Sequence, residues 1–166
     1  MNTTVDLKTP DLPADTGIER KDRRKLAERM GEALASTYVL YHKTHAFHWN
    51  ITGPLFYSVH KMTDEQYRDL AAAIDDIAER IRAIGFPAPS GLARYAKESA
   101  VEDDTDVSDP KHMINRLAKD HQKVAKQLRD AVAEAEQADD VYTADLLTAR
   151  IGAHEEAAWM LNALLA

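Results

Sequence analysis

Leu26, Met30, Leu34, Tyr38 and Tyr41 follow one another at intervals of three or four residues, and that rhythm returns three more times along the chain. It recurs at Val59, Met62, Leu70, Ile74, Ile77, Ile81 and Ile84, then at Met113, Leu117, His121, Val124, Leu128 and Val132, then at Leu147, Ile151, His154, Ala158, Leu161 and Leu165. Side chains so spaced fall on one stripe of an α-helix, whereas a half-buried strand would place them at every second position. Six glycines and six prolines in 166 residues are too few to turn a sheet of short strands. The sequence therefore predicts an all-α domain, with 45% hydrophobic residues to fill one core.

Breaks in the rhythm divide the chain. Residues 1–17 carry Pro10, Pro13 and Gly17 without hydrophobic period and read as a flexible N-terminal arm, leaving 18–166 as the folded unit. Thr16 and Glu19 have the form of a capping box, from which a first helix runs to near His48. Gly53-Pro54 opens a second helix over about 54–84, stopped by Gly85-Phe86-Pro87. A long connection with a short helix over 92–99 leads to Asp109-Pro110, which caps the third, and Asp139-Asp140 separates it from the fourth. Four long helices with one long connection, between the second and third, describe a four-helix bundle of ferritin-like connectivity.

Composition narrows the function. A net charge of −7 disfavours phosphate polymers and favours cations. Without cysteine there is neither a disulfide nor a thiolate ligand, so any metal must be held by nitrogen and oxygen. The N-terminus lacks the basic start and apolar run of a secretory signal, and no stretch approaches the ~20 apolar residues of a membrane span, so a soluble, cytoplasmic protein with no membrane partner is expected.

The second helix carries His60, Asp64, Asp75 and Glu79. At ~100° per residue from Val59, its apolar side chains fall within about 60°, whereas these four lie at roughly 100°, 140°, 160° and 200°. A lone carboxylate on such a face is ordinarily just solvated, but the spacing here is informative. Asp64 and Asp75 are separated by roughly 16 Å of helix, too far for one ion or a bridged pair at ~4 Å. Two copies of the helix crossing antiparallel about a twofold axis would instead set His60 and Asp64 of one against Asp75 and Glu79 of the other, making two equivalent sites. His48 joins from the end of the first helix, turned back over His60 by Asn50-Ile51-Thr52-Gly53. Two imidazoles with three carboxylates suit Fe(II), with Zn(II) and Co(II) as competitors. A di-iron centre inside one bundle would need Glu-x-x-His motifs, and no glutamate here has a histidine three residues later.

These residues resemble the Dps family, the mini-ferritins named as DNA-binding proteins from starved cells. The likeness covers nearly the whole chain beyond the arm and is densest in HWNITGPLFYSVHKMTDEQY and DDIAERI. In that family the ferroxidase ligands follow a His-Trp pair at fixed offsets, and His60, Asp64, Asp75 and Glu79 stand 12, 16, 27 and 31 residues after His48. The resemblance implies a homododecameric hollow shell that oxidises Fe(II), preferentially with hydrogen peroxide and otherwise with oxygen, at sites of two iron ions between twofold-related subunits, and stores ferric mineral inside. It implies that Trp49 is an electron donor that traps radicals beside the first ligand. It also implies that Asp145 lines pores at the threefold axes, where carboxylates concentrate cations. Asp139 and Asp140 either help form the pore mouths or cap a helix. His42 and His45 either add a further metal site or line an interface, and His154, Glu155 and Glu156 read as surface and interface residues.

Some Dps proteins hold DNA through lysine-rich arms, but residues 1–18 here set Lys8 against Asp6, Asp11 and Asp15. This acidic arm argues against DNA binding. The basic run Arg20-Lys21-Asp22-Arg23-Arg24-Lys25 is either a weak phosphate-contacting patch or a solvated helix start. A nucleoid-associated DNA-binding protein with little ferroxidase activity is accordingly the alternative function, and a scaffold that only sequesters metal is a third.

Overall fold

The computed structural model describes residues 10–166. Among them the chain forms five helices, α1 Arg20–Asn50, α2 Phe56–Ala83, α3 Leu92–Glu98, α4 Pro110–Gln137 and α5 Val141–Ala163, and no strand. α1 packs on α2, α4 on α5, and α1 on α4, so two helical hairpins share one core, while α3 in the long connection lies against α1. Leu26, Met30, Leu34, Leu40, Phe47, Leu70, Ile77, Ile81, Leu117, Leu128, Leu147 and Leu161 are buried together at that core.

Most helix ends follow from local chemistry. Asp109 caps α4 by accepting from Lys111 N–H at 3.0 Å, with Pro110 as the first helical residue, and Asp140 accepts from Thr143 N–H at 3.0 Å at the start of α5. α2 ends in a Schellman motif: Phe86 N–H reaches Ile81 C=O at 3.2 Å, and Gly85, at φ 102°, donates to Arg82 C=O at 3.0 Å. Only glycine fits there, because an added Cβ would come 2.9 Å from the Leu12 carbonyl oxygen. α4 ends the same way with Asp139 in the left-handed conformation at φ 55°.

The expected capping box does not form. Gly17 lies at φ 76°, outside the helical range, and Thr16 Oγ1 accepts from Ile18 N–H at 3.4 Å, so α1 begins only at Arg20 and Glu19 supplies no side-chain cap. α2 also starts two residues beyond Pro54, which sits in a turn closed by Phe56 N–H on Gly53 C=O at 3.0 Å. Of the expected arm, residues 10–17 run past the end of α2, where Leu12 N–H donates to Gly85 C=O at 2.9 Å, and residues 1–9 lie outside the described residues.

Two buried polar pairs fasten the bundle. Lys43 of α1 donates to Asp120 of α4 at 2.5 Å, both side chains being wholly shielded from solvent. His121 of α4 and His154 of α5 place their Nδ1 atoms 2.9 Å apart, so one ring donates and the other accepts. His154 is therefore an interior residue, not the surface residue expected, because its partner is supplied by a different helix. Burial is the main cause that pushes the His121 imidazole down to about 4, with the Arg150 guanidinium adding to it. Burial, His121 and Arg150 hold His154 lower still.

Removing Asp120 alone strands a buried ammonium, so Asp120→Ala is expected to lower the unfolding free energy by about 3–5 kcal/mol in urea titrations, while Lys43→Met combined with Asp120→Leu restores it. The histidine pair sets a pH slope. The unfolded chain takes up protons near pH ~6.5 whereas the folded one resists until much lower, so the pair's contribution is complete above that value and is lost as pH falls. The urea midpoint is expected to drop between about pH 7 and about pH 5, and to drop less with His121→Leu and His154→Leu together.

Candidate metal centre

The junction of α1 and α2 brings two imidazoles face to face. Gly53, at φ 82°, reverses the chain after Ile51, so that the rings of His48 and His60 stack at 3.9 Å between centroids with planes 16° apart. Their hydrogen bonds are reciprocal: His48 Nδ1 lies 2.9 Å from His60 C=O, and His60 Nδ1 lies 3.0 Å from His48 C=O. A carbonyl only accepts, so each neutral ring must carry its proton on Nδ1, which leaves each Nε2 lone pair bare. The His48 carbonyl is also one of the last four of α1, which no helical N–H reaches, so the His60 ring completes that helix end. Thr63 fixes the arrangement further, its hydroxyl 3.3 Å from His48 Nδ1 and donating to Val59 C=O at 2.7 Å.

Asp64 stands one turn beyond His60 and is held in place by Tyr67 Oη at 2.8 Å and by Arg68 Nε and Nη2, each at 3.2 Å. Those bonds, from Arg68 first and then Tyr67, keep its carboxyl below the usual range. Neither Tyr67 nor Arg68 is evident from the sequence as a site residue. The only signal was their i+3 and i+4 spacing from Asp64 on a helix. His45 stacks on Tyr67 at 4.2 Å and touches the Trp49 ring at 4.2 Å, while His42 is exposed on the same helix.

Asp75 and Glu79 lie about three and four turns further along the same unbroken α2, both exposed. The chain thus brings His48, His60 and Asp64 to one end of a face and leaves Asp75 and Glu79 apart. Among the described residues no three His, Asp or Glu side chains come within reach of one ion. A concavity of about 920 Å³ is lined by Arg24, Glu28, Glu32, Phe86 and Arg94 and includes none of these groups.

Elsewhere, Trp49 and Asp145 are exposed. Asp140 is buried, receiving Arg80 Nη2 on both oxygens at 2.8 Å as well as capping α5. Glu155 pairs with Arg129 across the α4–α5 surface at 2.6 Å. The basic run that opens α1 is taken up within the chain: Arg23 is buried and donates to Ile84 C=O at 2.6 Å, Arg20 and Arg24 pair with Asp11, Lys21 with Glu19 and Lys25 with Glu134.

Comparison with known proteins identifies the fold and the family. The model of the ferritin-like domain family matches residues 27–166. The DNA protection during starvation protein of Brevibacillus brevis is 34% identical over 140 residues, covering 84% of this chain and 94% of that protein. The chain belongs to the Dps family. The crystal structure of a Dps protein from Vibrio cholerae O1, described as a member of a broad superfamily of ferritin-like diiron-carboxylate proteins, superimposes with a TM-score of 0.87 at 29% identity, covering 95% of this chain and all of that one. A Dps protein from Bacillus brevis gives a TM-score of 0.83 at 32% identity, covering 88% of this chain and 98% of that one.

The tautomers are directly observable. Long-range ¹H–¹⁵N spectra of the metal-free protein are expected to show His48 and His60, in their neutral forms, protonated at Nδ1. An Nε2–H pattern at either ring would remove that nitrogen as a donor to a metal.

Proposed function

We propose that this Dps protein is a ferroxidase whose sites are shared between subunits. His48, His60 and Asp64 of one chain and Asp75 and Glu79 of a twofold-related chain bind two Fe(II) ions as substrate. Hydrogen peroxide, or oxygen less readily, takes the electrons. The ferric product is stored inside a homododecameric shell built from the 18–166 bundle, in the cytoplasm, and this removes iron and peroxide together. Trp49 stands beside the first ligand as an electron donor, and Asp145 contributes to the path by which iron enters.

The observation that carries this reading is the reciprocal pair of imidazole–carbonyl bonds. It aims two bare Nε2 donors from a rigid helix junction, which is what orienting partners do for metal-binding histidines. The donor chemistry also fits: two imidazoles with carboxylates suit Fe(II), and too few protein ligands are present to fill its coordination shell. The separation along α2 is the argument for a shared site, since roughly 16 Å of straight helix cannot fold back on itself. Peroxide reduction by two metal-derived electrons yields water and avoids releasing hydroxyl radical.

The decisive experiment is complementation. His60→Ala and Asp75→Ala chains, each assembled alone, are expected to lose peroxide-driven Fe(II) oxidation in stopped-flow assays while still forming shells. Co-assembled in equal amounts they are expected to recover about a quarter of the wild-type rate, because one in four shared sites then draws both intact halves. No recovery, with mixing of the chains verified by mass spectrometry, would mean that each site lies within one subunit. DNA retention without iron oxidation in wild-type protein would favour the nucleoid alternative.

A further inference from the structure

The start of α1 and the end of α2, at the far end of both helices from the histidine junction, build a second charged site. Arg20 and Arg24 stand one turn apart on α1, and their guanidinium carbons lie 5.5 and 5.4 Å from the centroid of the Phe86 ring. That ring is a fixed floor, since Phe86 is buried, its N–H reaches Ile81 C=O at 3.2 Å and its C=O accepts from Arg82 Nη1 at 3.1 Å. Both guanidiniums turn toward one carboxylate oxygen, Oδ2 of Asp11, which pairs with Arg20 and lies 3.8 Å from Arg24. The Leu12 N–H bond to Gly85 C=O holds Asp11 in that place.

Stability does not account for this convergence. The side chains of Arg20, Arg24 and Asp11 are 57%, 52% and 41% exposed, and ion pairs so open to water add little to folding. What two guanidinium forks over a rigid ring do match is an oxyanion. A carboxylate spends one oxygen on both forks, whereas a phosphate offers each fork oxygens of its own. The surroundings restrict its size. Glu28 and Glu32 line the concavity beside Arg24, and the chain carries a net charge of −7, so a long polyanion is repelled where a small one can enter.

We propose that Arg20 and Arg24 form a binding site for free phosphate, in which the Asp11 carboxylate is an internal occupant that phosphate displaces. The segment before α1 is then a strap closed by its own carboxylate and opened by the anion. This site works apart from the histidine junction and does not depend on iron oxidation.

The test uses the full, metal-free chain and inorganic phosphate, with sodium chloride at equal ionic strength as the control. Equilibrium dialysis is expected to show phosphate retained by the wild type, retained two- to fivefold more tightly by Asp11→Asn, which removes the competing charge, and lost in Arg20→Gln. Hydrogen exchange at the Leu12 amide is expected to quicken with phosphate and not with chloride. Should circular dichroism show Arg20→Gln to be misfolded, Arg24→Gln replaces it with the same expected loss. Equal phosphate binding by the wild type and the arginine variant overturns the site. Unchanged exchange at Leu12, or the same change with chloride, overturns displacement of the strap. Retention of duplex DNA by the wild type with no response to inorganic phosphate would overturn the assignment to a small anion in favour of a nucleic-acid backbone.

Discussion

Two hydrogen bonds, each from an imidazole of one helix to a backbone carbonyl of the other, tie the end of α1 to the beginning of α2. They solve a structural problem and a chemical one with the same atoms. A carbonyl at the end of α1 needs a donor, and a histidine needs a partner to hold one tautomer. Satisfying the first fixes the second, and the ring nitrogens left over face outward from a junction that cannot easily deform. Everything argued for the metal chemistry descends from this coupling of helix termination to ligand orientation.

Away from the junction the bundle is fastened by polar contacts between helices that are distant in sequence. Lys43 and Asp120 join α1 to α4 in a dry interior, Arg80 reaches from α2 to the cap of α5 through Asp140 and Thr143, and Arg23 closes the end of α2 through the Ile84 carbonyl. Buried charges are poor sources of net stability but punish misalignment, because a shifted helix leaves one of them unpaired. A stripe of small and aliphatic side chains alone would tolerate several registers. These pairs select among them, and thereby hold α1 and α2 where the histidines need them.

Much of this was legible in the sequence wherever the controlling interaction is local. Asp109-Pro110, Gly85-Phe86 and the three-to-four-residue apolar rhythm each specify their own helix or its end within a few residues. Thr16 and Glu19 misled because Gly17 between them adopts a left-handed backbone, which keeps the chain out of the helix until Arg20. His154 misled for the opposite reason: its neighbours Glu155 and Glu156 are exposed, and only α4 shows that it faces His121. The spacing of His48, His60, Asp64, Asp75 and Glu79 was plain, but not the tautomers, since carbonyl directions belong to the fold. Tyr67 and Arg68 went unread because a phenol and a guanidinium near a carboxylate are commonplace on helices.

α2 is 28 residues long without a proline or glycine inside it, and that stiffness has a wider consequence. A straight rod that carries complementary donors at its two ends acts as a gauge of partnership. On the proposed shared-site reading, each chain holds a first half and a second half of a pocket but never a whole one, and pairing completes two pockets in a single event. Dilution, or any modification that weakens pairing, would silence both together. Chemistry of this kind is switched by self-association and not by a lid or a hinge.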